Sequence, residues 1–151
     1  MFYNCISMKE KNETSAGGIV YKISGTQIVW LITQHSQHKG WVFPKGLVGD
    51  TETGETKEAA ALREVEEEGG VKAKIMSSDP IETSYSYEWQ KTLVHKKVYY
   101  YLMEYQSGDP NNHDWEMMDA KFVPASEVEE ILKYSSDKEA FVKALELLDS
   151  L

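Results

Sequence analysis

Residues 57–70, KEAAALREVEEEGG, leave little choice but an α-helix with one acidic side. Ala, Leu, Glu, Lys and Arg are strong helix formers, Thr56 is a competent N-terminal cap, and Gly69-Gly70 supplies the stop. Positions three and four apart share a helix face, so Glu64, Glu67 and Glu68 project together. Ala61, Leu62 and Val65 lie toward another side and form an apolar stripe for docking on a core. Like charges four residues apart oppose folding, and Glu66 adds to the repulsion, so the arrangement costs stability unless positive charge sits beside it. A hard cation meets that need, since magnesium and manganese prefer carboxylate, carbonyl and water oxygens. Arg63 precedes the cluster and Glu55 stands where the loop enters the helix, so an Arg63–Glu55 ion pair would staple loop to helix. Taken alone, an acidic run of this kind is most often a solvated helix face.

The rest of the chain reads as a sheet with further helices. Residues 16–23, AGGIVYKI, and 27–33, QIVWLIT, are β-branched runs joined by a tight turn at Ser24-Gly25-Thr26. Trp41-Val42-Phe43 forms a short strand inside a long loop, and loops of that length are usually functional. Residues 81–88, 93–104 and 120–124 carry further strand patterns, while 126–134 and 137–148 carry helical ones. Helices flanking a mixed sheet give an α+β layered sandwich. With 151 residues, no repeat and no linker, a single domain is expected over 1–151, with residues 1–13 as a flexible N-terminal extension.

Composition then narrows the partners. The formal charge of −9 repels long nucleic acids, whose binding depends on neutralised phosphates, so a phosphorylated small molecule needs bound cations here. The lone cysteine, Cys5, excludes an intrachain disulfide and a thiolate metal site. No stretch has signal-peptide or membrane-spanning character. A cytoplasmic setting without membrane contact is the expectation, and a monomer is favoured. His35, His95 and His113 lack the spacing of a transition-metal site and read as surface or rim residues.

Gly49, five residues, Glu55, seven residues, then REVEEEGGV from Arg63 to Val71 resembles the complete box of the Nudix hydrolases. The resemblance implies a Nudix-type α/β/α sandwich and metal-dependent hydrolysis of a nucleoside diphosphate linked to another group. It implies Glu64, Glu67 and Glu68 as ligands of Mg2+ or Mn2+, and Arg63 with Glu55 as their structural pair. In relatives with a Pro-Lys-Gly lead-in the glycine after the lysine usually opens the box; here Gly46 stands three residues before Gly49, which leaves two candidates for that place.

Across nearly the whole chain, SAGGIVYK, WVFPKG, KKVYYYLMEY, DWEMMDAKFVP and LKYSSDKEAFVKAL are similar to asymmetrically cleaving diadenosine tetraphosphate hydrolases. That likeness implies conversion of diadenosine tetraphosphate to ATP and AMP. It implies adenine stacking on Tyr87 and Tyr134, and phosphate contacts from His38, Lys45 and Lys96. The general base stays open among Glu67, Glu68 and Glu116. Alternatives are another Nudix specificity (oxidised deoxynucleotides, ADP-ribose or RNA 5′ ends) or a non-catalytic nucleotide-binding module. An unrelated acidic calcium- or partner-binding protein ranks last, because no EF-hand ladder is present.

Overall fold

A computed structural model describes residues 8–49 and 54–151; Cys5 lies outside them. In chain order the elements are β1 (Lys9–Ser24), β2 (Gln27–His35), β3 (Trp41–Val42), β4 (Lys45–Leu47), α1 (Lys57–Gly69), β5 (Val71–Ile75), β6 (Ile81–Trp89), β7 (Thr92–Gly108), β8 (Met117–Pro124), α2 (Ala125–Ile131) and α3 (Ser135–Asp149). The strands form one sheet with the path β3-β2-β1-β7-β5, to which β4 adds on β1, β6 on β7 and β8 on β2. Only β1 and β7 run parallel; the other pairs are antiparallel. This is an α+β fold with a mixed sheet between helices.

Alternation along the central strands divides the core in two, because successive strand residues point to opposite faces. Val20, Leu31, Tyr101 and Met103 join Ala60, Ala61 and Val65 of α1 on one face. Ile19, Tyr21, Trp30, Ile32, Tyr100 and Leu102 join Val128 of α2 and Ala140, Phe141 and Ala144 of α3 on the other. Leu62, expected in the docking stripe, is instead exposed, and Ala60 takes its place against the sheet. The reason is helical phase: the buried face runs through Ala60, Ala61, Glu64, Val65 and Glu68, and Leu62 lies outside it.

The expected extension over 1–13 is corrected for its last part. Lys9 to Glu13 belong to β1 and pair with Thr92 to Lys96 of β7. Their sequence is too polar to announce a strand; ion pairs hold it, with Glu13 3.2 Å from Lys11 and 3.3 Å from Lys96. β4 and β5 were likewise absent from the sequence pattern. Helix α1 begins where its cap predicts, with Thr56 Oγ1 accepting the Ala59 N–H at 3.1 Å, and ends on Gly70 at φ 73°.

Candidate active site

Parallel pairing of β1 with β7 and the addition of β4 on β1 bring α1 over the strand ends that carry Ser15, Lys45 and Lys96. A cavity of about 340 Å³ opens there, and its lining includes Glu64, Glu67, Glu68 and Glu116 together with His35, His38, Lys45 and Lys96. It therefore gathers acidic, cationic and imidazole groups around a space sized for a small anionic ligand.

Glu64 and Glu68 are each only 6% exposed. Burial pushes Glu64 up to about 7 despite the opposing Arg63 guanidinium, with Glu67 and Glu116 adding to the rise. Burial pushes Glu68 up to about 8; Glu64 adds to this, while the Lys45 backbone N–H, donating to Glu68 Oε1 at 3.1 Å, works against it. Glu68 has no ion pair among the described residues. Such carboxylates stay charged at neutral pH only if more positive charge enters the cavity.

Arg63 organises the entrance. Its Nε and Nη2 donate to the two oxygens of Glu55 at 2.7 and 3.0 Å, a bidentate pair, and its Nη1 donates to Glu64 at 2.7 Å and Glu67 at 3.2 Å. Glu55 Oε1 also accepts the Gly49 N–H at 3.1 Å, and its carboxyl is held below the usual range chiefly by Arg63. The two glycines thus have separate tasks. Gly49, at φ 80°, turns the loop so that its amide meets Glu55, whereas Gly46 leaves room for the Glu64 carboxylate, which any side chain there would strike.

The donor chemistry suits a hard divalent cation: three carboxylates, two of them buried, in a polar cavity. Among the described residues no three side chains stand at finished metal-ligand spacing, because Arg63 engages both Glu64 and Glu67. The residues therefore fit magnesium or manganese by donor type and by charge.

A family model described as NUDIX domain matches residues 11–145. The chain belongs to the Nudix family. It is 33% identical over 150 residues to a Mycobacterium tuberculosis protein that bears the mutator-protein name MutT4, covering 95% of this chain and 59% of that one. The chain thus spans little more than half the length of that curated relative. Among solved structures it is similar to a Caenorhabditis elegans Ap4A hydrolase in a binary complex, with a TM-score of 0.70, 24% identity, and coverage of 92% of this chain and 99% of the other. It is also similar to the Nudix domain of Shewanella oneidensis NrtR in complex with ADP-ribose, with a TM-score of 0.62, 17% identity, and coverage of 91% and 88%. At these identities the structural matches speak for the Nudix fold.

Other sequence candidates are spread around this Nudix cavity. Lys96 is half-buried, with its ammonium 5.9 Å from the Tyr87 ring centre. Tyr87 donates to Glu13 at 3.2 Å and lies beside Tyr85. Tyr134 meets His38 edge-on at 5.9 Å. Among the described residues Tyr87 and Tyr134 make no ring contact with each other, and neither lines the cavity. His35, read as a surface or rim residue, is half-buried at the end of β2, where it lines the cavity beside His38. Sequence reasoning also passed over Ser15, whose buried hydroxyl has no partner at the cavity floor. A serine preceding AGGIVY carries no periodic signal of such a place.

Proposed function

We propose that this Nudix chain is a magnesium- or manganese-dependent hydrolase of dinucleoside polyphosphates, cleaving diadenosine tetraphosphate to ATP and AMP. Hydrolysis of a nucleoside diphosphate linked to another group follows from the family; the dinucleotide is our reading. The observation that carries it is the gathering, in one cavity, of three helix carboxylates with His38, Lys45 and Lys96. A long anhydride chain calls for both: carboxylates that would hold divalent cations, and protein cations for the charge left over. The full-length match to an Ap4A hydrolase fold is consistent with it.

Divalent metal, when bound, supplies Lewis-acid neutralisation of the phosphate oxygens. Glu64, Glu67 and Glu68 would hold it, with Arg63 and Glu55 fixing the helix that carries them. Lys45 and Lys96 would orient the chain and stabilise charge on the departing phosphate. Water attacks phosphorus in line as the bridging P–O bond breaks, and its proton passes to a carboxylate, for which we assign Glu116 on the cavity wall. Tyr87 and Tyr134 would stack on adenine, an interaction of about 1–3 kcal/mol per base, provided that substrate draws them together.

The test is turnover with magnesium on a panel of diadenosine tetraphosphate, ADP-ribose, an oxidised deoxynucleoside triphosphate and 5′-triphosphorylated RNA, with products resolved by ion-exchange chromatography. ATP plus AMP, formed from the first compound with the highest kcat/KM of the set, is the expected result. Preference for the oxidised nucleotide would replace this reading with the one favoured by the mutator name of the mycobacterial relative.

A further inference from the structure

The loop from β2 to β3 is built so that two imidazoles stack. The His35 N–H donates to Gly40 O at 3.0 Å and the Lys39 N–H to His35 O at 2.9 Å, closing the loop on itself. Closure holds Lys39 at φ 64°, a left-handed conformation that a lysine rarely adopts. It also brings His38 against Gly40, where a Cβ would fall 2.9 Å from Nδ1. The result is a nearly parallel pair, His35 on His38, with ring centres 4.4 Å apart and planes 8° apart.

Backbone amides fix the protonation of both rings. His35 Nδ1 accepts the Gln37 N–H at 3.1 Å, and His38 Nδ1 accepts the Gly40 N–H at 3.0 Å. An imidazole whose Nδ1 accepts must carry its hydrogen on Nε2 and be neutral. Their surroundings favour the same state: desolvation lowers His35, with Lys45 adding, and lowers His38, with His35, Lys133 and Lys45 adding. Neither Nε2 is engaged by another described residue, and both rings line the same cavity as Lys45 and Lys96.

We infer that His35 is a second phosphate-contacting residue, which with His38 presents two neutral Nε2–H donors side by side to neighbouring phosphoryl groups. Two donors in tandem are expected to select for chain length, because an anhydride of three or more phosphates has a phosphoryl group for each ring and one more for the helix carboxylates, and a two-phosphate ligand has not. Neutral donors suit this task because they add directed hydrogen bonds without further charge to repel Lys45. The inference extends the proposed function to a substrate class, and it rests on that reading only for the position of the scissile end.

Calorimetric binding of magnesium tripolyphosphate and magnesium pyrophosphate to the full chain tests it without turnover. His35→Phe keeps a stacking ring and removes the donor; it is expected to weaken tripolyphosphate about tenfold, as loss of one hydrogen bond to a charged group does, and to leave pyrophosphate unchanged. His35→Gln, whose amide nitrogen reaches the place of Nε2, is expected to recover most of the loss. If His35→Phe lowers Tm, His35→Asn, which keeps an acceptor for the Gln37 N–H and whose shorter amide stops short of the place of Nε2, serves as the variant without a donor there. Equal weakening of both ligands, no weakening of tripolyphosphate, or no recovery by glutamine would overturn the inference. A wild-type chain that binds tripolyphosphate through His35 but leaves diadenosine tetraphosphate intact would instead sink the proposed substrate alone.

Discussion

The two faces of the sheet are built to opposite rules. Under α3 the core is large and aromatic: Phe141 meets Trp30 edge-on with ring centres 5.0 Å apart, and Phe43 and Tyr100 close the cluster. Under α1 the core is small, with Ala60, Ala61 and Val65 against Val20 and Leu31, and the same helix buries two carboxylates beside it. Apolar burial contributes roughly 25 cal/mol per Å², so the α3 face supplies the larger share of stability. The α1 face spends some of it holding Glu64 and Glu68 where water reaches them poorly. Apart from Asp137, a carboxyl that α3 buries and that accepts the Tyr100 hydroxyl at 2.8 Å, stability and chemistry thus lie on opposite sides of the sheet, and substitutions should divide in the same way.

The largest effect expected is on activity from the α1 face. Glu67→Gln keeps the size of a side chain that faces the cavity and removes its charge. Turnover with magnesium should fall by about two to three orders of magnitude, as when a group acting on transition-state charge is lost, while Tm changes little. Full magnesium-dependent activity in this variant would end the assignment of Glu67 as a metal ligand.

The mirror experiment lies across the sheet. Phe141→Ala opens a cavity beside Trp30 and Phe43 and should cost about 3–5 kcal/mol of unfolding free energy in urea titration. The kcat/KM of the folded fraction should stay near wild type, since no cavity residue touches that ring. A variant that kept its stability but lost activity would show that the faces are coupled rather than separate.

How far this division could be read from the sequence depends on how local each feature is. Helix α1 was legible because its cap, its stop and the i, i+3, i+4 spacing of its glutamates lie within 15 residues. The alternating strand cores were legible for the same reason, as in Gly18–Tyr21 and Trp30–Thr33. β4 was not: Lys45–Leu47 is three residues long and is a strand only because Ser15–Gly17 lies alongside it. Lys9–Glu13 was not, since KEKNE is strand only by pairing with β7. At the site, Glu64, Glu67 and Glu68 were expected together from their helical spacing and Lys45 from the family resemblance, whereas His35 was given no role. Its placement follows from loop closure through Lys39 and Gly40, which no periodicity encodes. The separation of Tyr87 and Tyr134 was equally hidden, because it depends on how β6 and α3 pack.

The smallest effect sharpens the comparison most, because it measures what the α1 face costs. Burial raises Glu64 to about 7 and Glu68 to about 8, from about 4.5 for an exposed glutamate. A carboxyl whose folded value lies above its unfolded value binds its proton more tightly in the folded state, so stability is fully present below the unfolded value and is lost as pH rises through the folded one. The window to examine is pH 6.5 to 8.5. Below it the lowered values of His35 and His38 act in the opposite direction, and the depressed Glu55 acts lower still. Chelator-treated protein should therefore lose Tm as pH rises across this window, by roughly 2–4 °C for each 1 kcal/mol in a chain of this size. Saturating magnesium should flatten the slope, since cations neutralise the same carboxylates, and Glu68→Gln should flatten it without metal. A Tm that climbed with pH in the absence of metal would mean that these side chains are charged at little cost, and the contrast between the two faces would lose its electrostatic half.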